Sequence, residues 1–197
     1  MRGDQDVTAF RLVSGADVVR VRVGDLAGDR YEISTPDDAR VAPAVSVDDT
    51  TVVTALRDTD GGGPALVDVV LSDDVRWQVR LAAGASDESV DLTGGPGGDV
   101  DFSAGTSRAS VALPSGKGTQ RVTLGGGAGV LAVRLDGDQP ARVAARGGAG
   151  SVTVDGQTHS GVAGGTVYEP AGWSGAADRY DIDATSGVST LTVTRAP

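Results

Sequence analysis

The sequence predicts an all-β fold, a right-handed parallel β-solenoid with two short strands in each coil of 21–22 residues. The first observation behind it is a beat of apolar pairs marked by Val79, Val90, Val100, Val111, Val122, Val133, Val143 and Val154, at steps of 11, 10, 11, 11, 11, 10 and 11. Taken alternately they form two series with steps of 21 or 22, the repeat length of a solenoid. The second is composition: 30 Gly, 4% aromatics and abundant Val favour thin β-structure, because Gly and Val are poor in helix interiors. The third is a recurring Gly/Ala corner between the strands of each coil.

Residues 1–71 read as an irregular β region, serving as early coils or a cap, and residues 72–197 as the regular solenoid with a C-terminal capping insertion. In the first part Val19, Val21 and Val23 alternate with Arg20 and Arg22, the period of a strand with one wet face. Further strands are expected at 30–34, 51–56 and 65–71, bounded by Pro36-Asp37-Asp38, Asp48-Asp49 and the run Asp58 to Gly63. From Trp77 each first strand carries an inward pair: Val79 and Leu81, Val100 and Phe102, Val122 and Leu124, Val143 and Ala145. The second strands carry Val90 and Leu92, Val111 and Leu113, Val133 and Leu135, Val152 and Val154. The outward centres between them are Arg80, Asp101, Thr123 and Ala144 on one wall, and Asp91, Ala112, Arg134 and Thr153 on the other. The corners at Ala83-Gly84-Ala85, Ala104-Gly105, Gly125 to Gly129 and Gly147 to Gly150 let neighbouring backbones approach without a ligand. After Val154 the beat breaks at an insertion, Asp155 to Arg179, and resumes at Tyr180 and Ile182, which are expected to form the closing coil.

A net charge of -10 argues against nucleic acid and anionic lipid surfaces as partners. With no cysteine there are neither disulfides nor thiolate metal sites, and no apolar run is long enough to span a bilayer. The N-terminus, Met1 to Asp6, has no signal-peptide core, so a cytoplasmic chain and a trimmed ectodomain both fit.

Candidates for chemistry are sparse. Gly94-Gly95-Pro96-Gly97-Gly98-Asp99 matches the opening of the calcium nonapeptide, but Asp101 stands where an apolar residue belongs and no second copy follows. Asp58-Thr59-Asp60-Gly61 lacks the rest of an EF-hand loop. The carboxylate pairs Asp136/Asp138 and Asp181/Asp183 suit an edge strand kept from aggregating. The single histidine, His159, and the serines Ser103 and Ser174 lack the strand-to-helix elbow that a nucleophile needs. The glycines 125–129 lack the Lys-Ser/Thr of a phosphate loop, and Arg2-Gly3-Asp4 is an integrin-type tripeptide at a frayed end. Neither a catalytic residue nor a cofactor or metal site is therefore assigned. The aromatics Tyr168, Trp173 and Tyr180 either roof the open end of the thin core or form the candidate partner or ligand surface, since clustered exposed rings stack sugars or anchor interfaces.

The run Val75 to Ala85, the Gly-Ala-Gly corners and Asp178-Arg179-Tyr180-Asp181-Ile182 resemble the bacterial putative-adhesin β-solenoid family over residues 65–195. That family is similar to autotransporter-adhesin head domains and to cell-wall-active antibiotic response proteins. The resemblance implies a non-catalytic module at the cell envelope or outside the cell. Its partner would be a protein or polysaccharide of the envelope, and a homo-oligomer is compatible with it. The alternatives are a carbohydrate-active β-solenoid enzyme and a self-assembling scaffold.

Overall fold

Alternation of apolar and polar residues becomes strand along the chain. In the strand at Trp77–Leu81, residues 77, 79 and 81 point inward and residues 78 and 80 outward. The computed structural model describes residues 1–3 and 8–196; Asp4 of the Arg-Gly-Asp tripeptide lies outside them. The strands in the N-terminal part are β1 (Arg2–Gly3), β2 (Ala9–Leu12), β3 (Ala16–Gly24), β4 (Tyr31–Ser34), β5 (Val41–Asp48), β6 (Thr51–Asp58) and β7 (Leu66–Ser72). Then come β8 (Trp77–Leu81), β9 (Ala85–Asp91), β10 (Gly98–Phe102), β11 (Thr106–Leu113), β12 (Thr119–Leu124), β13 (Ala128–Leu135), β14 (Ala141–Ala145) and β15 (Ala149–Val154). The chain ends with β16 (Gln157–Val162), β17 (Thr166–Tyr168), β18 (Arg179–Ala184) and β19 (Val188–Arg195). Among the described residues helix is confined to one 3-10 turn, Trp173–Gly175.

The chain shuttles between two mixed sheets, and no closed barrel forms. The first sheet has the order β1-β4-β7-β3-β9-β11-β13-β19-β15-β16, the second β17-β14-β18-β12-β10-β8-β2-β6-β5. Central neighbours pair in parallel, while β1, β4, β5, β16 and β17 run antiparallel at the margins. Inward side chains from both sheets form one core, with Val79, Val100, Val122 and Val143 each no more than 2% exposed. Each such side chain contributes roughly 1.5–3 kcal/mol of burial.

The expected register holds, and the strand order departs from it. Val100 pairs with Val79 on one side and Val122 on the other. Ile182 then separates Val122 from Val143, because β18 enters between β12 and β14. The strands β18 and β19 therefore do not close the stack; β14 and β15, with β17 and β16 outside them, lie beyond. The other end repeats the device, since β2 and β3 enter between β6 and β8 and between β7 and β9. The physical gain is that β2, β3, β18 and β19 have hydrogen-bonded neighbours on both sides. Two outward centres also differ from expectation. Thr153 aligns with Thr192 rather than continuing the row of Arg134, and Ala144 is 1% exposed, between Asp183 and Val167.

The corners explain their own glycines. A Cβ on Gly126 would collide with the Ala104–Gly105 peptide, and one on Gly147 with the Ser186–Gly187 peptide. Successive corners are bonded along the stack, with Thr106 N donating to Gly127 O at 3.0 Å and Ala128 N to Gly187 O at 3.2 Å. Large polar side chains seal the opposite corners. Buried Trp77 donates Nε1 to Ser72 O at 2.8 Å, and buried Gln120 bridges Gly98 N and Pro114 O at 3.2 and 2.8 Å.

Candidate functional site

The insertion divides its three aromatics among different tasks. Tyr180 lies in the inward row of β18 at 1% exposure, its hydroxyl shared among Pro114 O, Asp136 O and Gln139 Oε1. Trp173, 7% exposed, is set by the 3-10 turn against the start of β18 and donates Nε1 to Tyr180 O at 2.8 Å. The guanidinium groups of Arg142 and Arg179 lie over its ring at 4.1 and 4.5 Å, contacts that stabilise a ring fixed in a structural seat. Tyr168 alone of the three reaches another aromatic group, stacking on His159 with centroids 4.7 Å apart and planes at 28°. The three rings do not form one open aromatic patch.

The His159–Tyr168 pair joins the margins of the two sheets. His159 sits opposite Val152 across β15–β16, and Tyr168 opposite Val143 across β14–β17. Beside the pair is a hollow of about 330 Å³ lined by Ala141, Val154, Asp155, Gln157, Glu169 and Pro170. Arg195 lies 3.5 Å from the Asp155 carboxylate and Arg142 lies 3.9 Å from that of Glu169.

The outer face of the second sheet carries charge in a different form. Arg142 makes a bidentate pair with Asp181 at 3.0 and 2.8 Å, and Arg146 holds Asp183 at 2.8 Å. Arg80 lies 3.4 Å from Asp101, and Asp99 lies 3.8 Å from Arg76 and 4.0 Å from Arg121. A shallow trough of about 470 Å³ crosses this face over Arg11, Gln78, Thr51 and Thr123. Of its carboxylates, Asp99 and Asp101 sit in ion pairs with arginines, and Asp48 lies beside Thr51 at the trough.

Sequence reading missed one titratable group. Glu88 is 1% exposed and pairs with Val19 and Ala109 in an otherwise apolar inward row. The Thr106 hydroxyl donates to Arg108 O and leaves both Glu88 carboxyl oxygens unbonded; burial pushes the Glu88 pKa up to about 8, with the nearby Thr106 side chain a smaller opposing influence. Counting back two residues from inward-facing Val90 would have found it. It is enclosed by the core and has no access to a substrate.

The other candidates have structural explanations. The Gly97–Gly98 corner packs against Gln120 and the Trp77 backbone, where a Cβ would clash. Ser103 Oγ donates to Asp101 at 3.1 Å, and Ser174 belongs to the turn under Trp173. Among the described residues no group of three or more His, Asp or Glu side chains is placed to hold a metal ion. Millimolar calcium is expected to leave the melting temperature unchanged; a rise abolished by Asp99→Ala would contradict this reading. Among the described residues no helix is long and apolar enough to cross a membrane.

No family model matches the chain, and no curated protein matches it. Among solved structures, a "putative cell adhesion protein" from Clostridium sporogenes ATCC 15579 is similar with a TM-score of 0.64 at 12% identity, over 97% of this chain and 94% of that one. A "putative adhesin" from Bacteroides fragilis NCTC 9343 aligns over 98% of this chain and 96% of that one at 12% identity, with a TM-score of 0.24. The Clostridium likeness spans nearly the whole of both chains and is one of fold: this chain shares the all-β architecture of a solved bacterial protein from end to end.

Proposed function

We propose that the chain is a non-catalytic adhesion module of the cell surface, built as a right-handed β-solenoid and related to the bacterial adhesin-like proteins its sequence resembles. The observation that carries this reading is the pairing of four outward acids in the middle of the second sheet, Asp99, Asp101, Asp181 and Asp183, with arginines. A hydrolase of this architecture needs two carboxylates free to exchange protons or attack across one bond. Carboxylates held by arginines instead make a rigid, hydrated surface, which suits contact rather than turnover. The full-length likeness to a protein described as a cell adhesion protein supports the same reading.

The test is retention under flow. Beads coupled to the chain should be held on immobilised bacterial cell-wall polysaccharide or envelope protein well above albumin-coated beads, with no reducing sugar released. Release of reducing ends in proportion to protein would favour the carbohydrate-active alternative. Retention equal to albumin on every envelope surface tried would count against adhesion.

A further inference from the structure

We infer that the hollow between β16 and β17 is a binding site for a single neutral sugar ring, with the His159–Tyr168 stack as its aromatic wall. This deepens the adhesive reading by naming a ligand class for one end of the stack. The volume of about 330 Å³ is at the small end of ligand pockets. Ala141, Val154 and Pro170 make the apolar part of the lining, which suits the C–H face of a pyranose.

Gln157, in register with Val154, supplies a carboxamide that both donates and accepts. Asp155 and Glu169 supply acceptors for sugar hydroxyls. Arg195 lies 3.5 Å from Asp155, and Arg142, held bidentately by Asp181, lies 3.9 Å from Glu169, so each acceptor has a guanidinium beside it. A guanidinium beside each acceptor weakens the pull on an organic cation, and the carboxylates repel an acid, so a neutral polyol is the ligand that fits.

The wall is held in place before any ligand arrives. Tyr168 is fixed by the β14–β17 pairing, and the connecting loop is tied by Thr166 Oγ1 donating to Ala163 O at 2.7 Å. A prepositioned ring loses little freedom on binding.

His159 is the only histidine of the chain, so its imidazole signals report the site in NMR spectra without mutational assignment. Titration with methyl glucoside, methyl galactoside and N-acetylglucosamine should move these signals saturably in the millimolar range for at least one sugar. Tetramethylammonium and glucuronate should bind more weakly. Tyr168→Ala should weaken the response by about tenfold. Tyr168→Phe, which keeps the ring and guards against misfolding, should retain it, and Glu169→Ala should weaken it with the stack intact. No saturable shift with any neutral sugar, a response confined to the cation, or an undiminished response in both Tyr168→Ala and Glu169→Ala overturns the inference. Bead retention without a sugar response overturns this site while adhesion stands. A sugar response without bead retention supports the site while the adhesive reading fails.

Discussion

Replacing Val122 by Asp is expected to cost about 4–5 kcal/mol at pH 7, enough to unfold a domain of ordinary stability near its working temperature. Val122 is 1% exposed and paired in parallel with Val100 and Ile182, so its inward position has apolar neighbours on both ladders. A carboxyl there must stay protonated. Glu88 provides the scale, because burial raises its pKa from 4.5 to about 8; a similar shift at residue 122 costs about 3 kcal/mol at pH 7. Loss of the buried isopropyl group adds roughly 1.5 kcal/mol. Urea denaturation should give a lower midpoint for Val122→Asp than for Val122→Ala, with the gap narrowing as pH falls towards 4. An unchanged midpoint would mean that the column is not the core.

The spacing of apolar pairs made register legible because each strand must keep its valines inward, and a one-residue slip would expose them all. Strand order was not legible for the same reason. Phe10, Val79, Val100, Val122, Ile182 and Val143 are equivalent buried steps of one ladder, so pattern alone does not say which stands next to which. What decides is the geometry of linkers such as 136–140, which passes over one strand position and leaves room for β18. Tyr180 shows a conflict already present in the sequence. The alternation that pairs it with Ile182 also sends it inward, whereas its closeness to Tyr168 and Trp173 along the chain suggested a shared surface. Tyr168 found a different partner, His159, across the gap between sheets, and this contact depends on two antiparallel marginal strands that the repeat does not encode.

The same two-walled construction ties stability to function. With β2, β3, β18 and β19 paired inside the sheets, β16 and β17 are the marginal strands at one end and β1 and β5 at the other. Marginal strands make hydrogen bonds on one side only, and their free edges and inward faces are where a partner can be met without disturbing the core. The outward arginine–aspartate pairs contribute little each, being largely exposed. Arg142 and Asp181 differ: their side chains are 24% and 14% exposed, and Arg142 also covers Trp173, so this pair anchors the insertion that carries the proposed site.

Glu88→Gln should remove a pH dependence that the parent shows between about pH 4.5 and 8. The carboxyl is protonated in the folded chain up to about pH 8 and ionises near 4.5 once unfolded. Below the lower value both states hold the proton and stability is unaffected. Between the two values the unfolded state releases it, so stability falls as pH rises, by about 1.4 kcal/mol per unit for one group. Above the upper value both states are ionised and the loss levels off. The parent should therefore lose about 3 kcal/mol between pH 4 and 7 that Glu88→Gln does not lose. Subtracting the two curves of unfolding free energy against pH cancels the remaining carboxylates. Glu88→Leu should gain further at pH 7, since the same inward row already holds Leu131 and Leu191 and the nearby Thr106 hydroxyl keeps its bond to Arg108 O. Because Glu88 lies between Val19 and Ala109, alkaline pH should first loosen the junction of β3 with β9, raising amide exchange at residues 19–21 and 88–90 before the rest of the sheet. Parallel stability curves for parent and Glu88→Gln would place that carboxyl in contact with water, and the junction would then be as dry and as strong as its neighbours only at the positions the valines fill.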